Sequence, residues 1–224
     1  NMMSIAAGLA TCGKTVFVST FAVFATGRAF NQVRQSIAYT NLNVKIVATH
    51  GGISVGEDGA SHHSIEDIAL MRVLPNMTVV VPADAIETEQ VIFAVAEKPG
   101  PVYVRLCRPP TPLIYEEGYK FRGQPLKYEL GKAVLLEEGS DVTILATGIL
   151  VYEALEAAAL LRKKGISAEV VNVHTIKPLD EELVEKSARK TGAVVTAEDH
   201  SIIGGLGGAV AEFLCETYPV PMAR

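Results

Sequence analysis

Residues 44–72, "VKIVATHGGISVGEDGASHHSIEDIALMR", decide the fold. The β-branched, nearly unbroken apolar run at 44–49 has the composition of a parallel strand covered on both faces. A loop with four glycines (Gly51, Gly52, Gly56, Gly59) follows, crowded with His50, Glu57, Asp58, His62 and His63. "HSIEDIALMR" then has helical spacing, with Ser64 as the expected N-cap and Asp67 three residues on, in the manner of a capping box. Strand, loop and helix in that order make one unit of an α/β domain, where ligands sit beyond the carboxyl ends of strands. The titratable groups fall at such an end. The glycines are expected to let the backbone turn tightly and approach a ligand.

The same alternation runs outward from this unit. "TVFVST", "MTVVVP" and "PVYVRL" read as strands; "AVFATGRAFNQVRQSIAY", with Phe30, Val33 and Ile37 on one face, and "DAIETEQVIFAVAEK", opened by Asp84, read as helices. "RPPTPLIYEEGYKFRGQPLKYE" holds four prolines and no period, and reads as a linker. Beyond it "AVLLEE", "DVTILATG", "SAEVVNV" and "AVVTAED" are strands; "LVYEALEAAALLRKKG", "LDEELVEKSARKTG" and the entry "GGLGGAVAEFLCE" are helices. The expectation is two α/β domains with mostly parallel sheets, at residues 1–108 and 128–224, joined by a linker at 109–127. "NMMSIAAGLA" begins in mid-helix and "PVPMAR" ends without a closing element, so the chain reads as part of something longer.

Composition narrows the classes of function. Of 224 residues, 49% are hydrophobic and 20% charged, enough for a substantial core and against a disordered chain. A net charge of −5 without a dense Lys/Arg block argues against nucleic acid or an anionic membrane as partner. Cys12, Cys107 and Cys215 are odd in number and far apart, as in a reducing, cytoplasmic setting, and match no zinc spacing. No apolar run is as long as a membrane span, and the first residues lack a basic leader.

Several strand-exit residues have chemistry to offer. His50, Asp58 and His62 share one loop, and a chain reversal would aim them at one small molecule. Imidazoles move protons near neutral pH, and a carboxylate holds a hydroxyl or orients an imidazole. The plainer alternative is a polar loop that bonds to itself and caps the next helix. Phe21 and Phe24 follow "TVFVS" and suit a flat heteroaromatic ring, although core packing would also explain them. Arg108 ends "PVYVRLCR", where a guanidinium forks onto phosphate; a surface role is the alternative, and strand alternation sends its neighbour Arg105 to a different side. "GGLGG" at 204–208 fails as a nucleotide fingerprint because Val210 stands where a third glycine belongs. "AEDH" at 197–200 is polar at a strand end, either structural or at a domain seam.

"STFAVFATGRAFNQVRQSIAY", "ATHGGISVGEDGASHHSIEDIALMR" and "NMTVVVPADAIETE" closely resemble the pyrimidine-binding domain of transketolases, a match that "GPVYVRLCRPPTP" continues. "TIKPLDEELVEKSARKTGAVVTAEDHSIIGGLGGAVAE" resembles the transketolase C-terminal domain. The whole is similar to the C-terminal half of a transketolase divided between two polypeptides. The resemblance implies a thiamine-diphosphate enzyme of the pentose phosphate pathway that moves a two-carbon ketol unit between sugar phosphates. Phe21 and Phe24 would surround the aminopyrimidine, His62 would lie near its amino group and the reacting oxygen, and Asp58 would hold a sugar hydroxyl. His50 and Arg108 would help hold the substrate phosphate. The N-terminal half would hold the diphosphate with Mg2+ or Ca2+, so the partner is that subunit or domain, in a homodimer or heterotetramer. The activating glutamate would stand two residues before Asn1. The matching half of deoxyxylulose-phosphate synthase, another thiamine-diphosphate enzyme and a non-catalytic interaction module are the competing readings.

Overall fold

The structure is a computed structural model that describes residues 1–224. The first half runs α1 (Met2–Thr11), β1 (Val16–Val18), two π-helical turns (Val23–Arg28 and Val33–Ala38) around α2 (Phe30–Gln32), β2 (Val44–Ala48), α3 (Asp67–Arg72), β3 (Thr78–Val80), α4 (Ala85–Glu97) and β4 (Val102–Arg105). There follow β5 (Lys120–Phe121), β6 (Gln124–Pro125), β7 (Val134–Glu137), β8 (Val142–Ala146), α5 (Leu150–Lys163), β9 (Ala168–Asn172), β10 (Thr175–Lys177), α6 (Glu181–Thr191), β11 (Val194–Ala197), α7 (Leu206–Thr217) and β12 (Met222–Ala223). One sheet has the order β1-β2-β4-β3-β10 and the other β12-β11-β8-β9-β7. Only β10 and β7, each at an edge, run antiparallel to their neighbours. Two α/β domains with mostly parallel sheets result.

Central strands are buried along their whole length because helices cover both faces: β4 and β9 have no exposed position. Lys45 breaks the apolar run of β2 without breaking the strand. Its ammonium reaches the carbonyls of Lys98 and Gly100 at 2.6 Å each. Burial, helped by Lys98, pushes its pKa down to about 8.

Local expectations and the structure part in three places. Ser64 does not cap a helix: α3 starts at Asp67, and the Ser64 carbonyl instead takes the Gly52 amide at 2.7 Å. The segment read as a linker is packed rather than free, with Tyr115 and Tyr119 both buried and β5 and β6 forming a hairpin. "TIK" at 175–177 is a strand that crosses from the second half to close the edge of the first sheet, which three residues without a period could not announce. At the chain's end Met222–Ala223 pair with β11.

The two sheets share one apolar cluster that includes Ile68 and Met71 from the first half and Ile176 and Leu206 from the second. A polar network crosses the same seam. Glu87 on α4 accepts from the Ala83 amide at 2.7 Å, the Tyr119 hydroxyl at 3.0 Å and the Asn172 amide of β9 at 2.9 Å. Asp84, which caps α4, also accepts from the amides of Ile114 and Tyr115 at 2.7 and 2.9 Å. Burial pushes the Glu87 carboxyl up to about 7, against the donors that favour its anion.

The folded state therefore binds an extra proton between the ordinary carboxyl range and about pH 7, and stability falls as pH rises through that window. In urea unfolding, the stability of Glu87→Gln relative to wild type should rise from pH 5 to pH 8, by at most about 1.4 kcal/mol per pH unit. Parallel pH profiles for the two proteins would show that Glu87 ionises freely.

Candidate active site

The site is built where β1 and β2 end. Their parallel pairing (Val16 opposite Val44, Val18 opposite Ile46) continues past the strands through a bridge between Phe21 and Thr49. That bridge sets Phe21 beside His50, and the two rings stack with centroids 3.6 Å apart at 18°. Phe24, in the π-helical turn that follows, lies 5.9 Å from Phe21 at 14°. His62 returns from the far side of the loop and meets both rings edge-on, at 5.9 Å and 5.3 Å. Stacked aromatic pairs sit about 4.5–7 Å apart, so Phe21 and Phe24 touch and leave no slot between them. The open space is beside Phe24: a cavity of about 310 Å³ lined by Asn1, Met3, Thr20, Phe24, Arg28 and Gln32. The Arg28 guanidinium lies 4.7 Å over the Phe24 ring.

The loop leaves β2 through His50, whose φ of 63° is left-handed. Outside glycine that conformation costs about 1 kcal/mol or more and recurs at functional sites. The Gly52–Ser64 bridge closes the loop's neck. Gly51 and Gly52 are required by the protein's own side chains rather than by a ligand, because a Cβ at Gly51 would collide with Arg105 and one at Gly52 with Asp199. Arg105 is buried, its Nε donating to Asp67 at 2.8 Å, which also takes the Tyr103 hydroxyl at 2.6 Å. Arg108 lies beyond the end of β4, so the expected strand alternation does not apply to it; the two part because Arg105 turns to Asp67 and Arg108 to the loop.

Arg108 braces the loop. It donates to the Val55 carbonyl and to Glu57 at 3.1 Å, with Asp58 3.9 Å away. Its hydrogen bond holds the Glu57 carboxyl below the usual range. Asp58 has no hydrogen-bonded partner and a side chain 36% exposed, so its oxygens are open acceptors. Burial pushes the His50 imidazole down, Arg108 and His62 push the same way, and Asp58 opposes them. His50 is therefore neutral at pH 7, with Nδ1 2.9 Å from the Thr49 hydroxyl. His62 Nδ1 has the Ser61 hydroxyl at 2.9 Å. Phe21, Phe24, His50 and His62 thus form one aromatic cluster, while Asp58 and Arg108 form an ion-paired group on the same loop. No hydrogen bond links the two groups.

Two contributors lie outside the sequence-level set. Arg28 carries no motif that marks it. Asp199 stands in "AEDH", whose three polar residues each have separate work. Glu198 accepts from the Leu206 and Gly207 amides at 2.7 and 2.8 Å and so caps α7; a Cβ at Gly205 would collide with it, while one at Gly204 would meet Ala69 and one at Gly207 would meet Thr196. Asp199 accepts from the Ile53 amide at 3.1 Å and the Ser54 hydroxyl at 2.7 Å. His200 is buried beside Asp67 at 3.9 Å. A larger cleft of about 460 Å³ past β3 and β4, near Pro82, Leu106 and Cys107, contains none of the candidate residues. Burial raises the Cys107 thiol there, which makes it a poor nucleophile.

The family model "Transketolase, pyrimidine binding domain" matches residues 1–112, and "Transketolase, C-terminal domain" matches 131–223. A putative transketolase C-terminal section of Methanocaldococcus jannaschii is 56% identical over 214 residues, 96% of this chain and 65% of that protein. The 6-deoxy-6-sulfo-D-fructose transketolase subunit SqwH of Clostridium sp. is 51% identical over 224 residues, 100% of this chain and 67% of the relative. The solved structure of a split gene transketolase, described as an inactive beta4 tetramer, superposes with a TM-score of 0.91 at 54% identity, over 100% of this chain and 70% of that one. The chain thus spans about two thirds of the length of these relatives. It belongs to the transketolase family, as a C-terminal part comprising the pyrimidine-binding and C-terminal domains.

Proposed function

We propose that this chain works as the C-terminal portion of a thiamine-diphosphate-dependent transketolase that passes a two-carbon ketol unit between sugars with an anionic end. It is inactive without an N-terminal chain that holds the diphosphate and its Mg2+ or Ca2+. The observation that carries this reading is the cluster of Phe21, Phe24, His50 and His62 at adjoining parallel-strand exits, bordered by a cavity. These residues fit the ring end of the cofactor. No three His, Cys, Asp or Glu side chains converge as metal ligands in this chain. The bound cofactor supplies an electron sink for carbon–carbon bond cleavage.

The chain's residues then divide the work. Phe24 offers a face and the adjoining cavity to the aminopyrimidine, with Phe21 backing it from the His50 side. His62 stands edge-on to both rings, placed to take or give a proton at the ring amino group or at the substrate oxygen. Asp58, with its open oxygens, accepts from a sugar hydroxyl. His50, neutral, donates a hydrogen bond and does not act as a cation. Arg108 receives the substrate's terminal anion in exchange for the exposed Glu57 carboxylate. The relative named for a sulfonated sugar supports an anion site that accepts either phosphate or sulfonate. Met2, Ile5 and Leu9 form an exposed apolar stripe on α1 beside the Phe24 cavity, which supports a partner chain on that side.

Mixing the chain with an N-terminal transketolase subunit should yield cofactor-dependent ketol transfer, absent from either chain alone. Transfer by this chain unaided would refute the divided site. Phe24→Ala should raise the cofactor dissociation constant of the mixture, by about tenfold for the loss of one aromatic contact; an unchanged constant would move the ring elsewhere. Arg108→Ala should raise KM for phosphorylated and sulfonated sugars more than for neutral ones, and equal changes would leave it a loop brace only. Removing its charge should also shift the His50 imidazole titration, followed by NMR, to higher pH. A fixed or lowered titration would contradict that electrostatic contact.

A further inference from the structure

We propose that Asp199, contributed by the second domain, is a positioning residue for the substrate step: it holds the loop that presents Asp58 and His62. What the loop does for substrate rests on the function proposed above; the tether itself does not.

The loop has little else to fix it. Between Ile53 and His63 only Val55 is buried. Arg108, from the first domain, braces residues 55–58. Asp199 binds the residues immediately before these, just inside the neck, with one oxygen on the Ile53 amide and the other on the Ser54 hydroxyl. A carboxylate acceptor makes such bonds about twice as strong as a neutral one. Asp199 is itself fixed, since its carbonyl takes Arg105 Nη2 at 2.7 Å and Arg105 is locked to buried Asp67. Two residues on, the Ser201 amide donates to the Ile65 carbonyl at 2.9 Å, so residues 199–201 grip both sides of the neck. Gly52 has no room for a side chain because the Asp199 carboxylate occupies it. None of the hydrogen bonds of Asp199 reaches the segment that carries Phe21 and Phe24. Asp199 therefore bears on the loop groups, and of the aromatic cluster it reaches only His62, which the loop carries against Phe21 and Phe24.

Two measurements test this. On the isolated chain, hydrogen exchange of amides 53–63 should quicken by about tenfold or more in Asp199→Ala while the rest keeps its protection. Asp199→Asn should restore most of the protection, because its carbonyl still accepts from Ile53 and its amide can donate to the Ser54 hydroxyl. Should Asp199→Ala fail to fold, Ser54→Ala, which removes one bond, should give a smaller increase confined to the same amides. Unaltered loop exchange in a folded Asp199→Ala or in Ser54→Ala overturns the tether. In the mixture with the N-terminal subunit, Asp199→Ala should lower kcat/KM for the sugars by about 10- to 100-fold, as a misplacement near 1 Å does. The cofactor dissociation constant should stay within about threefold. Unchanged kcat/KM, or an equal loss of cofactor affinity, overturns the positioning role. A wild-type mixture that neither binds cofactor nor transfers ketol would refute the proposed function, and exchange would still judge the tether.

Discussion

One buried ion pair organises the carboxyl end of the first sheet. Arg105 leaves the end of β4, enters the space between the domains and meets Asp67 at the first residue of α3. Asp67 is fully buried and Arg105 nearly so, and Tyr103 adds a hydrogen bond to the same carboxylate oxygen. Burial alone would lower the guanidinium's pKa, but Asp67, Tyr103 and Asp199 together raise it, so it keeps its charge. Removing one partner of such a pair leaves an uncompensated buried charge and costs about 3–5 kcal/mol. The Nη2 of Arg105 donates to the Ser64 and Asp199 carbonyls, one on each domain. The pair thus fixes the loop neck and the domain seam together.

The electrostatics around that loop are balanced rather than strongly of one sign. Arg108 lies against Glu57 and near Asp58, so its charge is already answered before any substrate arrives. Under the proposed function, a sugar hydroxyl would meet the open carboxylate of Asp58. A terminal anion would displace exposed Glu57, an exchange of one charge-assisted bond for another that favours a bidentate ligand. His50 stacks on Phe21 in the aromatic cluster and feels the charges of Arg108 and Asp58 without a hydrogen bond to either.

The seam carries buried polar contacts on one side and apolar packing on the other. Glu87, Tyr115, Tyr119 and Asn172 connect α4, the intervening segment and β9, while β10 completes the first sheet with residues from the second half. Such bonds hold the domains in one relative orientation, and a loop gripped from both sides needs that orientation held.

The residues of 44–72 by themselves determined a great deal: a buried strand, a glycine loop at its exit and a helix after it, all formed from local period and side-chain type. Alternating units of this kind were enough to specify two mostly parallel sheets. Side-chain type also marked Phe21, Phe24, His50, Asp58, His62 and Arg108 as chemically capable. Tertiary structure alone decided that Gly51 and Gly52 make room for Arg105 and Asp199, that Ser64 closes a neck instead of capping a helix, and that β10 crosses between sheets. Those outcomes depend on groups about 12 to 150 positions apart in the chain, such as Gly52 against Ser64 or Asp199 against Ile53. A local pattern carries no signal for contacts that exist only once two sheets have packed against each other.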